Sequence, residues 1–423
     1  MFLSAYNPPP SRAERRTTMP FDPAEALADV RHEFGEHGGV NMSIEASTTF
    51  TVMDPEVMPE IFGGRLGPET GGCYLYGRHF NPTVYTLGKE LAAIEATEFG
   101  YGTASGLSAI AATILQLCAP GGRIVSARTI YGGSFALMHD YLPQRTGHHT
   151  TFVDITDLDE VERALEPGAS VLYCETMSNP TLAVADIPKL AELAHAKGAT
   201  LVVDNTFTPM IITPARLGAD VVVHSLTKFV SGASDIIAGA ICASAEFIQS
   251  LMDLHHGSLM MLGPTMDPRI AFDLSLRLPH LGLRVQEHSR RAMLFAQRLQ
   301  DRGLDVVYPG LPGHPSHGTL KRIMNPGYGF GGLLGLDLGS TERANDLMRT
   351  LQNDERFGYL AVSLGYFDTL MSCSAASTSS ELPEDDQRAA GISPGLVRMS
   401  IGLTGAVEQR WTQLDDALNR LKI

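Results

Sequence analysis

A lysine stands just beyond an apolar stretch that is typical of a buried strand. Residues 220–223 (DVVV) precede residues 224–232 (HSLTKFVSG), in which Lys228 has hydroxyl groups near it at Ser225 and Thr227. A lysine in this place either extends its amine to solvent or acts as a nucleophile. Buried lysines with a lowered pKa form Schiff bases with carbonyl compounds.

Two more apolar stretches end in polar side chains. Residues 200–203 run into Asp204, and residues 170–174 run into Glu175 with Asn179 shortly after it. Ligands of an open parallel sheet bind at the carboxyl ends of its strands. A strand-end aspartate by itself is more often a cap, but an acid, an amide and a lysine at one sheet edge indicate a site.

A glycine-bearing turn at 103–108 (TASGLS) precedes a predicted helix. Free backbone N–H groups and the positive end of the helix dipole at such a turn suit a phosphate. Ser225 and Thr227 could donate to the same phosphate. A phosphate cradle, an acid and a Schiff-base lysine are together what pyridoxal 5′-phosphate requires.

The elements that must position these residues alternate along the chain. Short strands that are apolar on both faces, separated by amphipathic helices, predict an α/β fold with a mainly parallel sheet covered on both sides. The predicted strands lie at 123–127, 151–153, 170–174, 200–203, 220–224 and 237–242, and helices at 84–98, 157–165 and 186–197.

The ends of the chain differ from this central part. Residues 1–20 are expected to be a tail, Asp22 to cap a first helix, and residues 38–75 to form an extended arm. After a mostly helical 245–300, strands at 304–308 and 332–338 and helices at 341–352 and 407–421 predict a smaller α+β domain. We therefore divide the chain into a tail and inter-subunit arm (1–80), a cofactor-binding domain (81–280) and a C-terminal α+β domain (281–423).

Composition narrows the class of protein. The 423 residues are 44% hydrophobic and carry a net charge of −15, so we expect neither nucleic-acid nor membrane partners. Five widely spaced cysteines without a CxxC motif favour a cytoplasmic protein with reduced thiols and no zinc site. The adjacent pairs His148–His149 and His255–His256 would point their side chains apart, so no metal site is expected.

Seven motifs in order carry a resemblance to a known family. They are 76–83 (YGRHFNPT), 104–110 (ASGLSAI), 131–133 (YGG), 175–181 (ETMSNPT), 203–207 (VDNTF), 225–228 (SLTK) and 393–400 (SPGLVRMS). From about residue 40 to 423 the chain resembles the Cys/Met-metabolism family of pyridoxal-phosphate enzymes. Stretches 32–47, 252–266 and 363–382 are most similar to its plant-type methionine γ-lyases. The resemblance implies fold type I, the aspartate-aminotransferase-like fold.

The resemblance implies roles around the cofactor. Lys228 would bind it and shuttle protons, and Asp204 would pair with the pyridinium nitrogen. Tyr131 would stack on the ring and protonate the leaving group, and Asn179 would lie near the 3′-oxygen. The implied phosphate ligands are Gly106, Leu107, Ser225, Thr227 and, from a neighbouring subunit, Tyr76 and Arg78.

The same resemblance implies how substrate binds and how the protein assembles. Arg398 would clamp the α-carboxylate of an amino acid, with Ser363, Asn179 and Tyr76 nearby. A site shared between subunits implies an obligate dimer within a homotetramer.

The implied reaction is α,γ-elimination from L-methionine or a related γ-substituted amino acid, which yields 2-oxobutyrate, ammonia and a leaving group such as methanethiol. Three departures leave the substrate open: Gly133 where bacterial methionine γ-lyases have cysteine, Thr404 in place of an acid, and the run 366–368 (YFD). Alternatives are γ-replacement, as in cystathionine γ-synthase or O-acylhomoserine sulfhydrylase, elimination from cystathionine or canavanine, and a non-catalytic cofactor-binding protein.

Overall fold

The protein folds around two sheets, each with its own buried apolar cluster. The computed structural model describes residues 21–31, 35, 37–63, 65–68, 72–373, 387 and 392–423. The predicted tail, residues 1–20, lies outside the described residues. Among the described residues, no helix combines the length and the apolar character needed to cross a bilayer.

The large sheet has seven strands in the order β1-β7-β6-β5-β4-β2-β3. β7 runs antiparallel to both β1 and β6, and the other pairings are parallel. The strands are β1 (Phe99–Thr103), β2 (Arg123–Ala127), β3 (His149–Val153), β4 (Val171–Glu175), β5 (Thr200–Asp204), β6 (Val221–Ser225) and β7 (Gly239–Ala243). The predicted mainly parallel α/β sheet is confirmed.

The small sheet has five strands in the order β10-β11-β12-β9-β8. Only β10 and β11 pair in parallel. The strands are β8 (Asp305–Val307), β9 (Leu333–Asp337), β10 (Gly358–Leu360), β11 (Thr369–Cys373) and β12 (Leu396–Ser400). This is the predicted smaller α+β part, although the division at residue 281 stays a prediction.

Helices cover both sheets and connect their strands. The described α-helices are α1 (Pro23–Val30), α2 (Met58–Phe62), α3 (Pro82–Glu95), α4 (Gly106–Leu117), α5 (Gly132–Ala136), α6 (Leu142–Thr146), α7 (Leu158–Leu165), α8 (Ile187–Ala196), α9 (Ala245–Leu251), α10 (Ser258–Leu262), α11 (Pro268–Arg277), α12 (Leu281–Asp301), α13 (His317–Ile323), α14 (Thr341–Asn353) and α15 (Val407–Arg420). Asp22 caps α1 through the backbone N–H of Ala24, as its place before proline predicts.

One predicted helix is too long. The helix predicted over 84–98 ends at Glu95, and residues 99–103 (FGYGT) form the edge strand β1. Gly88 of α3 lies so close to β1 that a Cβ there would be 2.1 Å from the carbonyl oxygen of Gly100. Packing of the helix backbone directly on the strand therefore requires glycine, which hides the strand from a search for apolar runs.

Candidate active site

The carboxyl ends of three neighbouring strands meet as predicted. β4 ends at Glu175, β5 at Asp204 and β6 at Ser225, and Lys228 follows three residues later. The ends line a cavity of about 250 Å³. Its walls are formed by Ser105, Gly106, Leu107, Ile110, Tyr131, Glu175, Met177, Asn179, Asp204, Thr206, Phe207, Ser225, Thr227, Lys228, Ile237, Val362, Leu364 and Arg398.

Lys228 is held between the two sheets. Its Nζ donates a hydrogen bond to Oγ of Ser363 at 3.1 Å. Burial, and to a lesser extent the charge of Arg398, lower the pKa of Lys228. Gly365 permits this close approach: a Cβ there would lie 2.5 Å from the backbone nitrogen of Phe229, and its φ is +76°. The amine is therefore more nucleophilic at neutral pH than an exposed lysine.

Asp204 is a buried carboxylate at the floor of the cavity. Its Oδ1 accepts the backbone N–H of Thr206 at 2.9 Å, and Oδ2 lies 3.5 Å from the Tyr173 hydroxyl. Burial raises the pKa of Asp204, while the bonds from Thr206 and the charge of His224 oppose that rise. His224 Nε2 lies 2.7 Å from Oε1 of the buried Glu95.

The first turn of α4 presents backbone donors to the cavity. Ser105 caps the helix with a reciprocal bond to Ser108, and Gly106 and Leu107 are its first two residues. A Cβ on Gly106 would lie 2.7 Å from Cβ of Ser225, so only glycine lets this turn approach β6 so closely. This cradle of amides next to a hydroxyl fits the phosphate of pyridoxal phosphate.

Thr227 differs from its predicted role in one respect. Its hydroxyl donates to the carbonyl oxygen of Ala238 at 3.3 Å and accepts the Ala238 N–H at 3.1 Å. The hydroxyl can donate to a phosphate only by giving up the longer of these bonds.

Arg398 is a buried cation that comes from β12 of the small sheet. Nη1 donates to Oδ1 of Asn179 at 3.0 Å, and Nη2 donates to the carbonyl oxygen of Ser363 at 3.2 Å. Nε has no partner among the described residues, and no carboxylate there lies within ion-pair distance of the guanidinium. Burial lowers the pKa of Arg398 to about 10. An unpaired buried guanidinium is a ready receptor for a ligand carboxylate.

Tyr131 stands at the mouth of the cavity. It precedes α5, and 49% of it is exposed. Its ring lies over Gly133, where a Cβ would be 2.6 Å from Cε1 of the tyrosine.

Tyr76 and Arg78 do not reach the cavity of their own chain. Arg78 donates to the carbonyl oxygen of Met260 at 2.8 Å and lies 5.6 Å from the centre of the Tyr76 ring. Nearly half of Tyr76 is exposed. Their placement agrees with a role at a neighbouring subunit's site, which stays a prediction.

Four of the residues that were expected to influence substrate preference do not line the cavity. Tyr366, Phe367, Asp368 and Thr404 are not among the lining residues. Thr404 donates to Asp368, whose Oδ1 also lies 3.4 Å from Nη2 of Arg410. Their expected position beside the substrate is therefore not found in the single chain.

Sequence reasoning assigned no role to Glu175. It lines the cavity with 7% of its surface exposed, and its Oε1 accepts the backbone N–H of Tyr131 at 2.8 Å. The available signal was its position at the end of a predicted strand beside Asp204.

A larger cleft of about 820 Å³ lies elsewhere, with Asp154, Asp186, Asp305 and Asp337 among its lining residues. None of the predicted site residues lines it. No group of three or more metal-ligating side chains occurs in the described part of the chain.

The fold and the lysine–aspartate–phosphate-cradle site together define a fold type I pyridoxal-phosphate enzyme. The family model "Cys/Met metabolism PLP-dependent enzyme" matches residues 26–419. The chain belongs to this family, and pyridoxal phosphate is its cofactor.

Relatives agree with this assignment. A methionine gamma-lyase of Arabidopsis thaliana is 57% identical over 401 residues, which cover 95% of this chain and 91% of that protein. Cystathionine gamma synthase of Xanthomonas oryzae pv. oryzae, solved with aminoacrylate and cysteine, superposes with a TM-score of 0.84 at 30% identity, covering 96% of this chain and 99% of that one. A putative O-acetylhomoserine (thiol)-lyase of Campylobacter jejuni, which carries N′-pyridoxyl-lysine-5′-monophosphate, has a TM-score of 0.85 at 26% identity, covering 94% and 100% of the two chains.

Proposed function

We propose that the protein is a γ-lyase that cleaves L-methionine, with water, into methanethiol, 2-oxobutyrate and ammonia. The 57% identity to a methionine gamma-lyase over nearly the whole chain carries this proposal. It is supported by a cavity that joins a lysine, a buried acid and an unpaired arginine.

The residues present fit the cofactor. Lys228 would hold it, Asp204 would face its pyridine nitrogen, and the first amides of α4 with Ser225 would hold its phosphate. When bound, pyridoxal phosphate supplies an electron sink for charge that develops on the substrate carbons.

Arg398 would orient the substrate. Its free Nε and its two donating nitrogens can bind an α-carboxylate, with Asn179 and Ser363 fixing the plane of the guanidinium. Bidentate recognition of this kind fixes the direction of the substrate as well as its affinity.

Lys228 and Tyr131 would move the protons. The lowered pKa of Lys228 allows its amine to remove the Cα proton and then a Cβ proton, since the flexible stem reaches both carbons. Tyr131 would protonate the departing γ-sulfur from the mouth of the cavity.

We further propose that the active site is shared. Tyr76 and Arg78 lie away from their own cavity and would reach the phosphate in a second copy of the chain. The assembly would then be an obligate dimer within a homotetramer, working in the cytoplasm with its five cysteines reduced.

A substrate panel tests the reaction. L-methionine, homocysteine, cystathionine, acylated homoserines and canavanine are incubated singly, and 2-oxobutyrate, ammonia and thiol are all measured. We expect methionine, with no thiol added, to yield equal amounts of 2-oxobutyrate, ammonia and methanethiol. Turnover of an acylated homoserine only when a thiol is added would instead indicate γ-replacement.

A further inference from the structure

Two acidic side chains lie next to each other at the edge of the large sheet. Glu175 and Asp204 are register partners at the ends of the parallel strands β4 and β5. Both line the active-site cavity, and each exposes only 7% of its surface. No cation lies within ion-pair distance of either one among the described residues. The repulsion between two adjacent buried carboxylates that form no ion pair with a protein cation favours a proton on one of them at neutral pH.

The surroundings decide which of the two carries the proton. Asp204 accepts the backbone N–H of Thr206 and faces the Tyr173 hydroxyl. The charge of His224 also stabilises the ionised form of Asp204. Glu175 accepts the backbone N–H of Tyr131 at 2.8 Å, and the backbone N–H of Asn179 also favours its anion. Its Oε2, however, is buried without a hydrogen-bond partner among the described residues. Burial first, and the charge of Asp204 second, raise the pKa of Glu175 well above its ordinary value.

The other titratable groups around the pair do not reverse this choice. Tyr173 and Cys174 of β4 are also buried. Burial raises the pKa of the Tyr173 phenol and of the Cys174 thiol, so both groups stay neutral. Lys228 and Arg398 face the same cavity from beyond β6 and from β12, but neither forms an ion pair with Glu175.

We propose that Glu175 is a positioning residue of the active site: as a neutral carboxylic acid it holds the backbone of Tyr131 and leaves Asp204 as the only anion of the pair. The inference rests on the roles proposed for Asp204 and Tyr131. A second anion at this edge would raise the proton affinity of the pyridine nitrogen that Asp204 is proposed to face. A neutral acid supplies the anchor for Tyr131 without adding charge.

The proposal fixes the sign of a pH effect on stability. Because the folded-state pKa of Glu175 is raised, the folded protein binds a proton that the unfolded chain releases above about pH 4.3. Glu175 therefore makes the protein progressively less stable as pH rises from the unfolded pKa through the folded one. Glutamine at this position has the same shape and no proton to lose.

The test compares Glu175→Gln and Glu175→Leu with wild type, with Glu162→Gln as the control at an exposed glutamate of α7. Unfolding temperatures of the cofactor-loaded proteins are measured from pH 5 to 8. We expect the unfolding temperature of Glu175→Gln, relative to that of wild type, to rise as pH increases. The difference between Glu162→Gln and wild type should not change with pH. An advantage of Glu175→Gln that does not grow with pH would overturn the proposal.

Two further readouts complete the test. The infrared difference between wild type and Glu175→Gln should contain the carbonyl band of a protonated carboxyl group. An ionised-carboxylate band in its place would contradict the proposal.

Kinetics provide the second readout. Glu175→Gln should keep kcat/KM within about threefold of wild type. Glu175→Leu should lose at least about tenfold in kcat/KM, because the backbone N–H of Tyr131 is left unpaired. Equal losses in both would also contradict it. Unfolding and infrared readouts involve no substrate, so they can fail or succeed independently of methionine cleavage.

Discussion

At the scale of single residues, Arg398 offers the sharpest test of substrate binding. Its guanidinium is buried and has no carboxylate partner among the described residues. Arg398→Lys keeps the charge but loses the planar donor set, so we expect kcat/KM to fall roughly 10- to 100-fold, mainly through KM. Steady-state kinetics check this, with the exposed Arg349→Lys of α14 as the matched control. An unchanged KM would remove Arg398 from the substrate site.

Gly133 sets the position of the Tyr131 ring. Gly133→Ala would place a methyl group 2.6 Å from Cε1 of Tyr131, so the ring must move. We expect kcat to fall about threefold to tenfold, because the tyrosine proposed to protonate the leaving group would be displaced, with the unfolding temperature nearly unchanged. Gly313→Ala is the control, since a Cβ there meets nothing within 4 Å. Wild-type kcat in Gly133→Ala would show that the tyrosine need not lie where it does.

At the scale of elements, α12 secures the segment that carries the lysine. Arg284 donates through Nη2 to the carbonyl oxygen of Val230 at 2.8 Å and through Nη1 to that of Phe229. Gly232, with φ of +74°, leaves room for the guanidinium, because a Cβ there would lie 2.3 Å from Nη1. The residues just after Lys228 are thus tied to a helix that runs between the two sheets.

Arg284→Met removes these donors and leaves two carbonyl groups unpaired. We expect the free energy of unfolding to fall by about 2–3 kcal/mol and the cofactor to bind less tightly. Denaturant unfolding and the visible absorbance of the lysine-bound cofactor report the two effects. Arg290→Met, at an exposed position of the same helix, should change neither; equal effects in both variants would mean that loss of any helix arginine suffices.

At the scale of the whole molecule, the proposed shared site predicts complementation. Lys228→Ala lacks the reactive amine, and Arg78→Ala would lack a phosphate contact that its chain lends to a partner. Chains of the two variants, mixed and reassembled, should recover activity, because each hybrid dimer contains one site with both residues intact. Activity per chain is compared before and after mixing. No recovery, with hybrids verified by mass, would show that each chain completes its own site.

Much of this molecule could be predicted from its sequence because apolar strands and strand-end polar groups are local features. The motif residues Lys228, Asp204 and Arg398 do face one cavity. β1 was missed because its glycines contact the backbone of α3. β10 has only three residues, and polar residues such as Ser372 and Arg398 interrupt the apolar runs of β11 and β12. The role of Glu175 depends on its neighbour in register, which only the folded sheet brings beside it.

The contacts of Lys228 and Arg398 have a consequence for how such enzymes can diverge. The amine comes from the large sheet but rests on Ser363, and the guanidinium comes from the small sheet but rests on Asn179. Each half of the chain thus holds a functional group that is hydrogen-bonded to the other half. A chimera that takes one half from a relative would replace one partner in both of these contacts at once. We therefore expect substrate preference among such enzymes to be inherited with the whole chain. Exchange of one half alone should give an inactive enzyme unless the residues that form these contacts are exchanged with it.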